Sequence, residues 1–145
     1  MRTMIEGVGI DVRVKIAALW AATLFLFAYG DIFGLFRPGA IHDVTAGTVS
    51  GIKVSQAFLL ATSAYIAIPS AMVFLTLVLT PAVNRWTNLV LATLYAASVV
   101  LLTIGESWVY YYFLSAAETI LLVLIVWYAW TSPGRRDRSV EPTRR

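Results

Sequence analysis

Residues 108–130 read WVYYYFLSAAETILLVLIVWYAW, an apolar run with aromatic residues at both ends and one carboxylate, Glu118, near its middle. A helix of this length can cross a bilayer, because about 20 apolar residues span the hydrocarbon core. Trp and Tyr clusters at both ends of a run are typical of the two membrane–water interfaces. The stretch therefore predicts a transmembrane helix with a polar group inside it.

The rest of the chain has the composition of a membrane protein. Its 145 residues are 59% hydrophobic and only 13% charged, with a mean hydropathy of +0.78, values outside the range of soluble domains. Apolar runs at about residues 14–36, 54–79 and 87–104 join the run at 108–130 to give four predicted transmembrane helices. We predict an all-α, polytopic integral membrane protein in which these helices form an antiparallel bundle.

The first apolar run could instead be a signal peptide. Basic Arg13 and Lys15 precede it, and Ala28 with Gly30 satisfies a small-residue cleavage rule. The apolar character resumes after Asp31, which makes the run longer than a typical signal-peptide core. We therefore expect a retained helix.

Positive charge is distributed unevenly between the two sides of a four-helix topology. The side of the termini carries nine basic residues and the other side two: Arg2, Arg13, Lys15, Arg85, Arg135, Arg136, Arg138, Arg144 and Arg145 against Arg37 and Lys53. The positive-inside rule then predicts a multi-pass plasma-membrane protein with both termini in the cytoplasm. Residues 1–131 form the predicted transmembrane domain, and residues 132–145 a basic, disordered cytoplasmic tail that contacts lipid headgroups rather than nucleic acid.

Several residues are expected to shape the connections between helices. Arg37, Pro38 and Gly39 should stop the first helix, followed by a long loop to about residue 52. Pro69 has no N–H to donate to the carbonyl of Tyr65, so it should kink the second helix and leave that acceptor free at mid-membrane. Residues 80–84 should form a tight connection before the third helix.

A polar cluster is predicted near the bilayer midplane. A rise of about 1.5 Å per residue brings four side chains to this depth: Phe25, Tyr65, Tyr95 and Glu118. Hydroxyls at nearby depths come from Thr62, Ser63, Ser98 and Ser115. An ionised carboxylate in hydrocarbon costs at least a few kcal/mol, so Glu118 should face the bundle interior or a wet cavity. Tyr65, Tyr95 or Ser115 could donate a hydrogen bond to it.

The role of this cluster has two interpretations. Glu118 could titrate protons or bind a ligand, or it could be a structural acid that hydrogen-bonds two helices together. Asp31 could begin a polar entry path with Tyr111 and its neighbours, or end its helix at headgroup level and pair with Arg37 or water. The candidate ligand or proton site comprises Glu118, Tyr65, Tyr95, Ser115, Asp31 and Tyr111.

Motifs of soluble catalysis are missing from the sequence. It contains no cysteine and no GxSxG, HExxH or GxxxxGK[ST] pattern. His42, Asp43, Asp31 and Glu106 could together bind a cation, but one histidine without cysteines favours solvated loop residues. We predict no catalytic residue, no metal and no cofactor.

Short motifs along residues 12–130 resemble a family of small bacterial four-span membrane proteins known only as a domain of unknown function. They are Leu19-Trp20, Tyr29-Gly30-Asp31, Ile68-Pro69, Asn84-Arg85-Trp86 with Asn88, Tyr111-Tyr112-Phe113, Glu118 and Trp127-Tyr128-Ala129-Trp130. The resemblance rests on the order and spacing of these motifs. It implies the four-helix membrane fold and no reaction, substrate or site residue.

Three functions stay open at this point. The first is a small-ligand-binding, conducting or accessory membrane subunit with a midplane polar site around Glu118, and not an enzyme. The second is a proton-coupled small-molecule transporter, working as an oligomer because four helices enclose little space. The third is a membrane-embedded enzyme acting on a lipid or quinone. The expected partners are the lipid bilayer and either further copies of the chain or a larger membrane complex.

Overall fold

The computed structural model describes residues 10–132, which form four long helices, one short helix and one hairpin. In chain order the elements are α1 (Val12–Gly34), α2 (Ala40–Thr45), β1 (Thr48–Val49), β2 (Ile52–Lys53), α3 (Gln56–Val78), α4 (Pro81–Thr103) and α5 (Val109–Thr131). The four long helices have 23 residues each and are long and apolar enough to cross a membrane. The predicted all-α fold with four spanning helices is confirmed. Beyond Ser132, the predicted tail lies outside the described residues.

The four long helices pack in the order α3, α1, α5, α4. α1 contacts both α3 and α5, and α4 packs along α5, whereas α3 and α4 contact each other little. The starts of α1 and α4 meet the ends of α3 and α5 at one end of the bundle, which we call the Arg85 end. The opposite end is called the Arg37 end.

Large apolar side chains face outward along all of these helices. Leu60, Leu101 and Trp127, for example, are 72%, 66% and 63% exposed. Apolar surface on this scale is not found on soluble monomers and is expected where helices contact lipid. The surface therefore agrees with a multi-pass membrane protein.

The most tightly packed core lies in the half of the bundle near the Arg85 end. Its largest fully buried apolar side chains come from α1, α3 and α5: Trp20, Ile16, Met72, Leu122 and Ile125. Ala92 on α4 and Ala129 on α5 are also buried, and such small side chains let helix backbones approach closely.

A buried polar network centred on Asn88 ties three helices together inside this core. The indole N–H of Trp20 donates to Asn88 Oδ1 at 2.7 Å, and Thr76 Oγ1 donates to the same oxygen at 3.4 Å. The Asn88 amide donates to the carbonyl oxygen and the Oδ1 of Asn84 at 2.8 and 3.0 Å. Because donors and acceptors are matched, the network adds interhelical hydrogen bonds to the core without leaving a polar group unpaired.

The start of α4 corrects one predicted boundary. The prediction placed a tight connection at residues 80–84 and began the helix near residue 87, whereas α4 begins at Pro81. A proline in the first helical turn lacks only an N–H that would have no partner within the helix. Asn84 and Asn88 lie one turn apart and are both buried. These polar residues interrupt the apolar run in the sequence although they belong to the helix and face its packed side.

The segment expected to be a long loop is partly ordered. Residues 39–52 contain α2 and most of a small hairpin, in which Thr48 pairs with Lys53 and Val49 with Ile52. The two residues between the strands, Ser50 and Gly51, have φ angles of 50° and 78°. Positive φ at both positions is characteristic of the type I′ turn, a common two-residue hairpin loop.

The Asn88 network predicts a coupled loss of stability. We expect Asn88→Leu to lower the free energy of unfolding by about 1 to 2 kcal/mol, because the buried Trp20 N–H loses its acceptor. In a Trp20→Phe background the same substitution should cost roughly 1 kcal/mol less, since the orphaned donor is then gone. Unfolding by SDS in mixed micelles measures both. Equal costs in the two backgrounds would show that the pair is not coupled.

Candidate functional site

A cavity of about 430 Å³ lies between all four long helices in the half near the Arg37 end. Its walls are mainly apolar and aromatic, with a few hydroxyls and two carboxyls. The lining comprises Phe27, Gly30, Asp31, Phe58, Ala61, Thr62, Tyr65, Ile66, Val99, Leu102, Tyr111, Leu114, Ser115 and Glu118. We call it the Glu118 cavity.

Glu118 is the buried polar group of this cavity. Its side chain projects from α5 about 14 Å along the axis from the first residue of that helix, and the residue is only 7% exposed. Among residues 10–132 no side chain or backbone group hydrogen-bonds to its carboxyl. Ser115, one turn earlier and equally buried, lines the cavity without a hydrogen bond to Glu118. The carboxyl therefore faces the cavity, and no hydrogen bond from these residues ties it to another helix.

Asp31 and Tyr111 lie nearer the Arg37 end of the same cavity. Asp31, on the last turn of α1, is exposed, while Tyr111 on α5 is half-buried. Both line the cavity together with Glu118. The two carboxyls thus belong to one space, one at its exposed rim and one in its interior.

Tyr65 and Tyr95 form the floor of the cavity, and a hydrogen bond to the Tyr65 backbone carbonyl, which Pro69 leaves free, joins them. The Tyr95 hydroxyl donates to the Tyr65 carbonyl oxygen at 2.5 Å. The two rings lie 4.7 Å apart between centroids, and α3 continues as a helix through Pro69. A donor from α4 has replaced the missing backbone N–H.

A second hydrogen bond joins α3 to α4 at the same level. Ser98 donates its hydroxyl to the Tyr95 carbonyl at 2.8 Å, so the 2.7 Å contact between the hydroxyls of Tyr65 and Ser98 has Tyr65 as donor. The hydroxyls of Tyr65 and Tyr95 thus both donate hydrogen bonds that join α3 to α4. Neither donates to Glu118 as the sequence had suggested.

Only some of the predicted cluster lines the cavity. Glu118, Ser115, Asp31, Tyr111, Tyr65 and Thr62 do so, whereas Tyr95 packs below it. Phe25 is 65% exposed on the outer surface of α1, and Phe27 takes the expected place, with its ring 6.0 Å from that of Tyr65. Ser63 is exposed and outside the cavity. Depth alone does not fix which side of a helix a residue faces.

Arg37 lies beside Tyr111 in a cluster of aromatic rings at the Arg37 end. Its guanidinium carbon is 5.4, 5.1 and 5.7 Å from the ring centroids of Trp108, Tyr110 and Tyr111. It pairs with Glu106 at 2.9 Å and donates from Nε to the Tyr110 hydroxyl at 2.7 Å. The suggested pairing of Arg37 with Asp31 is therefore wrong.

Glu106 is held in its charged form by this arrangement. The Ser107 backbone N–H at 2.8 Å, followed by Arg37, keeps the pKa of the Glu106 carboxyl below its ordinary value of 4.5, although burial works the other way. Its charge is thus available to Arg37 at neutral pH. Within residues 10–132 no group of three potential metal ligands is present, and His42 Nδ1 lies 3.7 Å from Asp43 Oδ1.

Two polar clusters were not recognised from the sequence. The Asn88 network could have been suspected from Asn84 and Asn88, two amides at helical spacing beside an apolar run. The aromatic enclosure of Arg37 was hidden because the tyrosines were interpreted as an interfacial belt. Tertiary packing, rather than spacing, brings residues 37 and 106 together.

Comparison with known proteins identifies the family. A family of unknown function, DUF6326, matches residues 10–137, most of the chain, and the protein belongs to it. This confirms the resemblance seen in the sequence. No curated protein and no solved structure matches the chain.

The floor of the cavity predicts a specific dependence on Pro69. We expect Tyr95→Phe to lower the free energy of unfolding by about 1 kcal/mol, because the Tyr65 carbonyl loses its donor. In a Pro69→Ala background the loss should largely disappear, since residue 69 then supplies a backbone N–H to that carbonyl. SDS unfolding of the four proteins measures the difference. The same loss in both backgrounds would contradict this account of the hydrogen bond.

Proposed function

We propose that this member of the DUF6326 family is a small-ligand-binding protein of the plasma membrane whose ligand occupies the Glu118 cavity. The observation that carries the proposal is the environment of Glu118. This residue is only 7% exposed and lines the cavity, and its carboxyl has no hydrogen-bond partner among residues 10–132. A carboxyl inside a membrane costs free energy unless it finds a hydrogen-bond partner. A molecule that hydrogen-bonds to it or pairs with it would offset that cost.

The shape and lining of the cavity support the same proposal. Its volume of about 430 Å³ lies within the range of small-molecule sites, which are mostly apolar with a few polar groups that orient the ligand. Thr62, Ser115 and Tyr111 supply hydroxyls, and the remaining wall is largely aliphatic or aromatic. A mainly apolar molecule with one polar or charged group fits this pattern.

Transport is a second candidate function, and Pro69 favours it. A transporter would exchange protons for substrate at Glu118 and would work as an oligomer. Pro69 interrupts the backbone hydrogen bonds of α3 directly below the cavity, and helices bend most readily at such positions. Opening toward the Arg85 end would require the Tyr65–Tyr95 contact to break. Substrate flux in proteoliposomes, absent for a binding protein, separates the two functions.

We also propose that the Arg85 end faces the cytoplasm, with both termini on that side. The excess of Lys and Arg there supports the proposal through the positive-inside rule. Lys15 lies 5.5 Å from the ring centroid of Tyr128, and Arg85 lies 5.4 Å from that of Trp130. Basic and aromatic side chains paired in this way are suited to the headgroup region. The Glu118 cavity would then lie in the outer half of the membrane.

The binding function predicts that filling the cavity abolishes ligand binding. Three benzyl probes serve as ligands: cationic benzyltrimethylammonium, neutral 2,2-dimethylpropylbenzene and anionic phenylacetate. We expect Ala61→Phe, which adds a ring to the cavity wall, to weaken binding of at least one probe by about tenfold or more. Equilibrium dialysis against the protein in phosphatidylcholine nanodiscs measures the affinity.

Ala67→Phe is the matched control for this experiment. Ala67 lies on the same helix, is exposed and does not line the cavity, so this variant should bind like the wild type. If no probe binds to the wild type more tightly than to Ala61→Phe, the proposed function is wrong.

The orientation is testable with single cysteines, because the chain has none. We expect a membrane-impermeant maleimide to label Ser107→Cys in intact cells and to label Thr80→Cys only after permeabilisation. Both positions are exposed, Ser107 near the Arg37 end and Thr80 at the Arg85 end. The reverse labelling pattern would overturn the proposed orientation.

A further inference from the structure

We infer that the ligand of the Glu118 cavity is a small organic cation, a positively charged nitrogen on an aromatic or aliphatic body. The inference rests on the proposed binding function and specifies the chemical class of the ligand. It follows from the charges, the rings and the apolar groups that line the cavity.

The charged groups of the cavity are all acidic. Glu118 and Asp31 line it, and within residues 10–132 no Lys, Arg or His does. The other titratable groups facing Glu118 are Tyr65 on α3 and Tyr111 on α5, while α4 contributes Val99 and Leu102. A ligand cation would be the only positive charge in this space, where low polarity strengthens its attraction to a carboxylate.

The basic residue nearest the mouth does not cancel this preference. The guanidinium carbon of Arg37 lies 5.7 Å from the Tyr111 ring centroid, and its charge is already matched by Glu106 at 2.9 Å. The net charge of this ion pair is therefore zero. Asp31 and Glu118 are then the acidic groups of the cavity that have no basic partner among residues 10–132.

Aromatic rings add a second source of selectivity for cations. Phe27, Phe58, Tyr65 and Tyr111 line the cavity, and the faces of such rings attract ammonium groups. The protein already holds one cation in this way, since three rings surround the Arg37 guanidinium at 5.1 to 5.7 Å. Tyr111 belongs both to that cluster and to the cavity wall.

The same lining favours an organic cation over a metal ion. Hard cations such as Ca²⁺ take six to eight oxygen ligands, whereas most of this wall is aliphatic or aromatic carbon. An alkylated or aromatic ammonium group is weakly hydrated and buries its carbon atoms against that wall. One carboxylate is then enough to orient it.

The test compares two probes of the same shape. Benzyltrimethylammonium and 2,2-dimethylpropylbenzene differ by a charged nitrogen in place of a carbon. Binding to the cavity is measured as the difference in bound probe between the wild type and Ala61→Phe in phosphatidylcholine nanodiscs. Each affinity is calculated from the probe's concentration in protein-free lipid, which corrects for partitioning into the bilayer. We expect the wild type to prefer the cation by about tenfold or more.

Two substitutions identify the groups responsible. Glu118→Gln should weaken cation binding by about tenfold while changing neutral-probe affinity by less than about threefold. Asp31→Asn, at the exposed rim, should have a smaller effect of the same sign and serves as the second variant if Glu118→Gln does not fold. A cation preference that survives both substitutions overturns the inference.

The outcomes separate this inference from the proposed function. If the neutral probe or phenylacetate binds the cavity as tightly as the cation does, the cationic ligand class is wrong while ligand binding stands. If none of the three probes binds in an Ala61→Phe-sensitive manner, both are wrong.

Discussion

The Tyr65 carbonyl oxygen, which Pro69 leaves without a backbone donor, accepts a hydrogen bond from the Tyr95 hydroxyl at 2.5 Å. In hydrocarbon no water is available to satisfy such an oxygen, so its partner must come from the protein. That partner lies on α4, so a hydrogen bond between helices replaces the one that α3 lacks. It links two helices that otherwise contact each other little. The cavity lies directly above this junction, with Tyr65 in its wall.

Two buried polar side chains, Asn88 and Glu118, differ in their partners. Near the Arg85 end, Asn88 has partners for both its oxygen and its amide nitrogen, and it is fully buried. Toward the Arg37 end, Glu118 has no partner in the described chain and faces a cavity. A matched network is what a structural role requires. A carboxyl that faces a cavity and has no partner among residues 10–132 can bind a ligand, and the proposed function rests on this difference between Asn88 and Glu118.

The sequence predicted the four spans well, because length and hydropathy are sufficient for helices that face lipid. It also predicted the free Tyr65 carbonyl, since Pro69 removes that bond wherever the helix packs. It could not predict the donor, because a depth count contains no information about rotation around each helix axis. Phe25 and Phe27 show this: residues two apart point to nearly opposite sides of a helix, and only Phe27 faces the site. The early start of α4 was missed for a related reason, because Asn84 is polar yet buried.

The junction at Tyr65 and Tyr95 also has a mechanical consequence. Below it, α3 and α4 are joined again by the short connection at residues 79–80. Above it, among residues 10–132, no further hydrogen bond links α3 to α4. The segment of α3 above the junction, from residue 56 to residue 65, is about 14 Å long. A tilt of about 10° around the junction would move its tip by roughly 2 Å, while the floor hardly moves. Such a clamp can admit bodies of different width at the mouth and still present the same carboxyl to each of them.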